Sequence, residues 1–152
     1  MNQSLRVWKL IAAIGAAGIV ISTAGCGTIE RMTGRDASDG SKVTLSGAEE
    51  VPPTATTGSG SGTIAVSPDR TVSGSVTTTG FTPTMAHIHL APRGANGPVI
   101  VPLTRSGEGA WSVPPGAKLT EEQFGAYKAG NLYVNVHSAQ YPAGEVRGQL
   151  KP

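Results

Sequence analysis

The sequence has little of three things: cysteine, aromatic residues and charge. It contains one cysteine, Cys26, so an intramolecular disulfide is excluded. Aromatic residues make up 5% and charged residues 14% of its 152 residues, whereas glycine occurs 21 times and proline 11 times. This composition favours many short strands joined by turns over long helices.

The chain also lacks a basic surplus outside its first 25 residues. Arg6 and Lys9 are the only charged residues in that segment, and the ten basic residues that remain are matched by ten acidic ones. No basic cluster with interleaved aromatic residues occurs either. We therefore expect no nucleic-acid partner.

The first 25 residues resemble the signal peptide of a bacterial lipoprotein. A short positive segment (1–9) precedes an apolar run (10–21) that is short for a membrane span, and small residues then lead to Cys26. We expect a signal peptide over residues 1–25, cleavage before Cys26 and lipid on that cysteine. Thr23 stands where the lipoprotein pattern prefers leucine, and the alternative is an uncleaved membrane anchor.

Lipid on Cys26 would attach the protein to a membrane of the bacterial cell envelope. Residues 26–41 are polar and have no hydrophobic period, which predicts a flexible tether between lipid and domain. Gly27 is not the aspartate that marks retention in the inner membrane. We therefore expect the outer membrane, with the domain facing the periplasm, held stably by several acyl chains.

Short alternating runs fill the rest of the chain. Runs such as KVTLSG, TVSGSVTTTG, MAHIHLA, NLYVNVHS and EVRGQL alternate apolar and polar residues between turn signals. Residues 48–62, AEEVPPTATTGSGSG, have no hydrophobic period and indicate a loop. One short helix is expected near 120–129, with a capping box from Thr120 and Gln123 and a left-handed end at Gly130. Seven or more such strands predict an all-β fold, an antiparallel sandwich or barrel.

Three stretches carry a family resemblance: LSGAEEVPPTATTGSGSGTIAV, AHIHLAPRGANGPVIVPL, and LTEEQFGAYKAGNLYVNVHSAQYPAGEVRGQL. Together they resemble the CHRD domain, a module named after the animal protein chordin and found in bacterial secreted proteins and lipoproteins. The resemblance covers roughly residues 42–150. It implies an immunoglobulin-like, Greek-key β-sandwich over residues 42–152, and it implies no agreed activity. Leu90 and Pro92 depart from the commoner pattern after the HIH run.

All three histidines of the chain fall in two of these runs. On strands, His87 and His89 share one face with Met85, and His137 shares one face with Tyr133 and Asn135. The apolar residues between them belong to the core, so we expect the histidines on the outer face of the sheet. They can converge on one metal ion, for which copper suits the imidazoles and a Met85 thioether better than zinc does. Tyr133 and Asn135 would support these ligands.

Other interpretations remain open at this stage. The imidazoles could instead donate to nearby carbonyls or to Glu145, in a metal-free module that binds an envelope protein or polysaccharide through loops near 92–98. Enzymatic activity ranks last, because no catalytic residue or acid–base pair is visible. Glu145 and Arg147 are expected to form an exposed pair. Glu49 and Glu50 are expected to lie at a solvated strand end.

Overall fold

The computed structural model of the protein describes residues 40–152. They form one 3-10 helix (Gly47–Glu49), one α-helix, α1 (Glu121–Lys128), and nine strands. The strands are β1 (Ser41–Ser46), β2 (Ser59–Val66), β3 (Val72–Thr79), β4 (Pro83–Leu90), β5 (Val99–Pro102), β6 (Thr104–Gly107), β7 (Ala110–Ser112), β8 (Leu132–Ser138) and β9 (Val146–Gln149). The predicted signal peptide (1–25), Cys26 and nearly all of the predicted tether lie outside the described residues. Between residues 40 and 152, no helix is both long and apolar enough to cross a membrane.

All nine strands belong to one antiparallel sheet, in the order β5-β4-β8-β9-β1-β2-β3-β7-β6. The two edge strands of this sheet, β5 and β6, are consecutive in the chain, so the two edges nearly meet. β5 pairs with β4 and β6 pairs with β7, and between them the Leu103 N–H donates to the Ala86 carbonyl at 2.9 Å. The predicted all-β antiparallel fold is confirmed. It takes the form of one nearly closed, barrel-like sheet, which leaves little exposed strand edge.

The inner face of the sheet holds one hydrophobic core. Its most deeply buried members are Leu45, Ile64, Val76, Ile88, Leu132, Val134, Val136, Val146 and Leu150. Burying such a side chain contributes about 1.5–3 kcal/mol, so this core is the main source of stability. On β4 and β8 these residues alternate with the polar ones, as the sequence pattern requires.

β2 begins at Ser59, inside the segment predicted to be a loop, so that part of the prediction is wrong. The glycines of GSGSG explain the missing pattern. A Cβ at Gly60 would lie 2.7 Å from the Thr77 carbonyl oxygen and 2.9 Å from Leu45 Cδ1. A Cβ at Gly62 would overlap the backbone of Ser75. Neighbouring residues therefore fill the space where an alternating strand would place side chains.

The predicted helix is confirmed together with its ends. The Thr120 hydroxyl accepts from the Gln123 N–H at 3.2 Å, and the Gln123 side chain accepts from the Thr120 N–H at 2.9 Å. Gly130 follows with φ of 73°, a conformation that glycine adopts without strain. The helix delivers the chain into β8, which carries His137.

Candidate metal site

The three histidines lie on neighbouring strands. β4 and β8 pair in a register that sets His87 opposite Asn135, His89 opposite Tyr133, and Met85 opposite His137. Side chains alternate along each strand, and the residues between these positions are buried in the core. All three imidazoles therefore lie on the sheet face that points away from the core, as the sequence predicts.

That face is not an open surface, so the histidines lie on the predicted outer face of the sheet but are not exposed there. His89 and His137 are only 8% and 6% exposed, and His87 is partly buried. Loops from 47–58, 91–98 and 139–145 cover the face and bond to its side chains. We call this covered set the polar layer; its members are Glu50, His87, His89, Tyr133, Asn135, His137, Glu145 and Arg147.

The imidazole nitrogens converge. One nitrogen from each histidine lies within 4.8 Å of those from the other two. The shortest separation is 3.0 Å, between His87 Nδ1 and His137 Nε2. Two nitrogens bound to one tetrahedral zinc-like ion at about 2.0–2.1 Å would lie about 3.3 Å apart. One of the three separations is close to this value, and the others lie within 4.8 Å, so a bound ion would need the His89 ring to move inward by about an ångström.

Backbone carbonyls set the proton positions of two rings. His89 Nδ1 lies 3.0 Å from the Gly97 oxygen, and His137 Nδ1 lies 3.0 Å from the Pro142 oxygen. A carbonyl oxygen only accepts, so both Nδ1 atoms carry the proton and both Nε2 atoms present a lone pair. The His137 Nε2 accepts from the His87 Nδ1–H at 3.0 Å, so His87 would have to move its proton to Nε2 to bind a metal through Nδ1. The Nε2 of His89 is buried and has no hydrogen-bond partner among the residues that the structure describes. Holding Nδ1 on a carbonyl is how proteins orient metal-binding histidines.

The surroundings keep the imidazoles neutral. Burial lowers the pKa of His87, and the nearby His137 and His89 lower it further. Burial also lowers the pKa of His89 and of His137, although the carbonyls of Gly97 and Pro142 act in the opposite direction. A neutral imidazole is the form that binds a metal, so these rings would not have to lose a positive charge to bind one near neutral pH.

Tyr133 supports His89 in two ways. Its ring stacks on the His89 ring, with centroids 4.8 Å apart and planes 10° from parallel. Its hydroxyl accepts from the Gly97 N–H at 3.3 Å, and the Gly97 carbonyl holds His89. A Cβ at Gly97 would overlap the Leu90 carbonyl, so the loop approaches the strand closely there. Met85 is 45% exposed at its position across from His137.

Asn135 hydrogen-bonds to Glu50 and not to a histidine, and the sequence pattern did not predict this partner. Its Nδ2 donates to both oxygens of Glu50, at 2.9 and 3.2 Å, while its Oδ1 is buried without a partner among residues 40–152. Glu50 is 5% exposed, so the expectation of a solvated Glu50 is wrong. Burial raises its pKa to about 7, against the opposing effects of Arg147 and Asn135. Glu49 is less buried and pairs with Arg93 at 2.7 Å.

Glu145 and Arg147 do not form the expected exposed pair, because both are buried. The Thr56 hydroxyl donates to Glu145 Oε1 at 2.6 Å. Arg147 donates to the carbonyls of Ala95 at 2.8 Å and Pro92 at 3.2 Å, and its guanidinium lies 3.4 Å above the Tyr133 ring. The sequence pattern could have predicted the place of Arg147. The alternation that puts the histidines on one face also puts Arg147 on that face of β9, opposite Asn135.

Replacing Glu50 by glutamine is expected to stabilise the protein at pH 8 by on the order of 2 kcal/mol. The folded-state pKa of about 7 lies above the ordinary value of 4.5, so stability falls as the pH rises from about 4.5 to about 7, where Glu50 ionises more readily in the unfolded chain, and the loss persists at pH 8. Glutamine resembles the protonated form, and its side-chain oxygen can still accept from Asn135 Nδ2. Urea unfolding of both proteins between pH 5 and pH 8 measures the difference.

The pH dependence of this stability difference shows whether it comes from the ionisation of Glu50. The advantage of Glu50→Gln should grow from pH 5 to pH 8, while Glu49→Gln, a change at a neighbouring surface ion pair, should stay within about 1 kcal/mol throughout. A Glu50→Gln protein that is less stable than the parent at pH 8 would show that the ionised carboxylate stabilises the polar layer.

Comparison with known families agrees with the resemblance of the sequence. The family model described as the CHRD domain matches residues 41–150, which is most of the chain. No curated protein and no solved structure matches the chain.

Proposed function

This chain belongs to the CHRD-domain family, and from its histidine cluster we propose that the domain binds one copper ion through His87, His89 and His137. The family carries no agreed activity, so the proposal depends on the geometry. The protein would be a metal-binding module of the cell envelope rather than an enzyme. Bound copper would supply a Cu(I)/Cu(II) couple, and the chain's own contribution would be to hold and enclose the ion.

The observation that carries the proposal is the unpartnered Nε2 of His89. A buried polar atom without a hydrogen bond is costly, on the order of 1–3 kcal/mol, and usually has a functional reason. Here the same atom belongs to a ring whose proton is fixed on the far nitrogen by Gly97. Its lone pair is therefore free for a ligand, and the cluster of three nitrogens supplies the partners that a metal needs.

Charge favours the monovalent form, Cu(I). The cluster consists of three neutral imidazoles, with no carboxylate among its members, and the positive Arg147 lowers the pKa of His89. The cost of burying an ion rises steeply with its charge, so a singly charged ion is easier to accommodate than Zn²⁺. The thioether of Met85, half-exposed and opposite His137, would add the soft ligand that Cu(I) prefers.

We further propose that lipid on Cys26 holds this module at the bacterial outer membrane, facing the periplasm. The support is the sequence of residues 1–26, with its positive segment, apolar run and small residues before the cysteine. Lipid analysis of the purified protein would test this, because loss of the acyl chains in Cys26→Ser is the expected result.

Titration with Cu(I) under reductant, Cu(II) and Zn(II) tests the metal proposal. We expect one copper per chain, with Cu(I) bound more tightly than Zn(II). Met85→Leu keeps the side-chain volume and removes the sulfur, and we expect it to weaken Cu(I) binding by about tenfold while leaving Zn(II) binding unchanged. Equal effects on both metals would exclude a role for the thioether, and the absence of any metal binding would overturn the proposed function.

The alternative of a metal-free interaction module through residues 92–98 is less well supported. This loop is tied down by bonds from Arg147 to Ala95 and Pro92, and by the Asn96 side chain, which donates to the Val51 carbonyl at 2.7 Å. The carbonyls of Pro92 and Ala95 and the side chain of Asn96 are thus engaged within the domain, which leaves Arg93, 60% exposed, as the charged group that the loop directs outward.

A further inference from the structure

Two adjoining clefts lie beside the polar layer, each with a volume of about 420 Å³. The first lies between Thr56–Thr57, Phe81–Thr82 and the loop after β8. The second lies between residues 50–55 and 140–144. Both are lined by Ala55, Gln140 and Tyr141, so the two clefts form one groove with Tyr141 at its centre.

The walls of the groove are fixed before any ligand arrives. Thr54 Oγ1 donates to the Glu145 carbonyl at 2.7 Å, and Thr56 donates to the Glu145 carboxylate. The Tyr141 hydroxyl donates across the groove to the Ala55 carbonyl at 3.4 Å, and the Tyr141 N–H is held by Ser138 Oγ at 3.1 Å. A preorganised site of this kind loses little conformational entropy when it binds.

The lining identifies the class of ligand. No lysine or arginine lines either cleft, in contrast to a third cleft of about 470 Å³ that is lined by Arg70, Lys118 and Lys128. The charged residues that do line the two clefts are Glu145 in the first and Glu50 in the second, both buried, and their carboxyl groups can accept from sugar hydroxyls. Hydroxyl and amide groups that both donate and accept are abundant, and the partly exposed rings of Phe81 and Tyr141 offer apolar surface. We propose that this groove binds a neutral oligosaccharide, whose hydroxyls and C–H faces match that combination.

An extended peptide fits the groove less well. Peptides are often captured by strand addition, which needs unpaired backbone groups. Here the wall backbone is already paired: the Thr54 N–H bonds to Gly47, and the N–H groups of Ser138 and Gly144 bond to the Tyr141 carbonyl. A ligand therefore meets side chains, which are mainly hydroxyls, an amide and two aromatic rings in the first cleft, and Tyr141 with proline, alanine and valine side chains in the second.

The groove shares a loop with the histidine cluster but uses different atoms. Residues 139–145 present Gln140 and Tyr141 to the groove, while the Pro142 carbonyl of the same loop orients His137. Sugar binding requires no histidine and no metal, so the proposal does not depend on copper binding.

Titration of the purified protein with neutral hexasaccharides tests the proposal. Maltohexaose, cellohexaose and chitohexaose serve as probes, beside an anionic hexagalacturonate and an uncharged hexapeptide. We expect at least one neutral sugar to bind with a Kd of roughly 1 mM or below, and the peptide and the anionic sugar not to bind. Gln140→Ala, an exposed change, should weaken sugar binding by about fivefold, the loss of one neutral hydrogen bond.

Tyr141→Leu should weaken sugar binding by a similar or larger factor, since it removes the central ring. The matched control is Lys118→Ala in the third cleft, which should change nothing. The proposal is overturned if no neutral sugar binds, if the peptide binds in their place, or if Gln140→Ala and Tyr141→Leu both bind sugar as the parent does. Copper binding measured on the same samples reports on the metal proposal separately.

Discussion

Replacing His89 by asparagine is expected to weaken Cu(I) binding by at least about a hundredfold while the domain stays folded. Changes in groups that merely support metal ligands typically cost 10–100-fold in affinity, so loss of a ligand should reach or exceed about that upper limit. His89 supplies the buried Nε2 that has no other partner among the described residues. Asparagine can still donate to the Gly97 carbonyl through its amide but has no nitrogen lone pair for a metal.

The control for this change lies on the adjacent strand. Val99 on β5 pairs with His89 on β4 and is 47% exposed, so Val99→Ala alters the neighbouring surface without replacing a proposed ligand. Competition with a Cu(I) chelator gives the affinities, and circular dichroism reports the fold. If His89→Asn and Val99→Ala bind copper equally well, His89 is not a ligand.

Replacing Arg147 by alanine is expected to destabilise the protein by about 3–5 kcal/mol, because each hydrogen bond to a charged group contributes about 1.5–3 kcal/mol and the buried guanidinium donates to two carbonyls. Arg147 is 1% exposed, and it joins β9 to loop 91–98 through the Pro92 and Ala95 carbonyls. Without it those carbonyls lose charge-assisted bonds, and the Tyr133 ring loses its guanidinium contact. Domains of this size are stable by only about 5–15 kcal/mol, so much of the margin would be lost.

Arg93 in the same loop provides a matched comparison. It forms a surface ion pair with Glu49, and its side chain is 60% exposed, so Arg93→Ala should cost no more than about 1 kcal/mol. Urea unfolding at pH 7 measures both variants. An Arg147→Ala protein as stable as Arg93→Ala would show that the loop is held by other contacts.

Strand alternation explains why the faces of β4 and β8 could be predicted. Ile88 and Val134 belong to the core, so a period of two fixes where His87, His89 and His137 point. The register that makes them converge follows from pairing β4 with β8. The helix could also be predicted, because its capping box at Thr120 and Gln123 and its end at Gly130 depend only on neighbouring residues.

Burial of the polar layer could not be predicted in this way. It depends on loops that are distant in sequence: Gly97 lies 36 positions from Tyr133, and Glu50 lies 85 positions from Asn135. No local pattern shows which loop folds over which strand. β2 was missed for a related reason, since Gly60 and Gly62 leave space for neighbouring strands and thereby remove the hydrophobic period.

An X-ray absorption spectrum of the copper-loaded protein at the copper edge tests whether the three histidines bind copper. We expect about three nitrogen scatterers near 2.0 Å with the outer-shell signature of imidazole. One sulfur at a longer distance is expected if Met85 participates. The same spectrum from His87→Ala/His89→Asn/His137→Ala should lose the imidazole signature. A spectrum without imidazole in the parent protein, or one that is unchanged in the triple variant, would contradict the assignment of His87, His89 and His137 as a copper site.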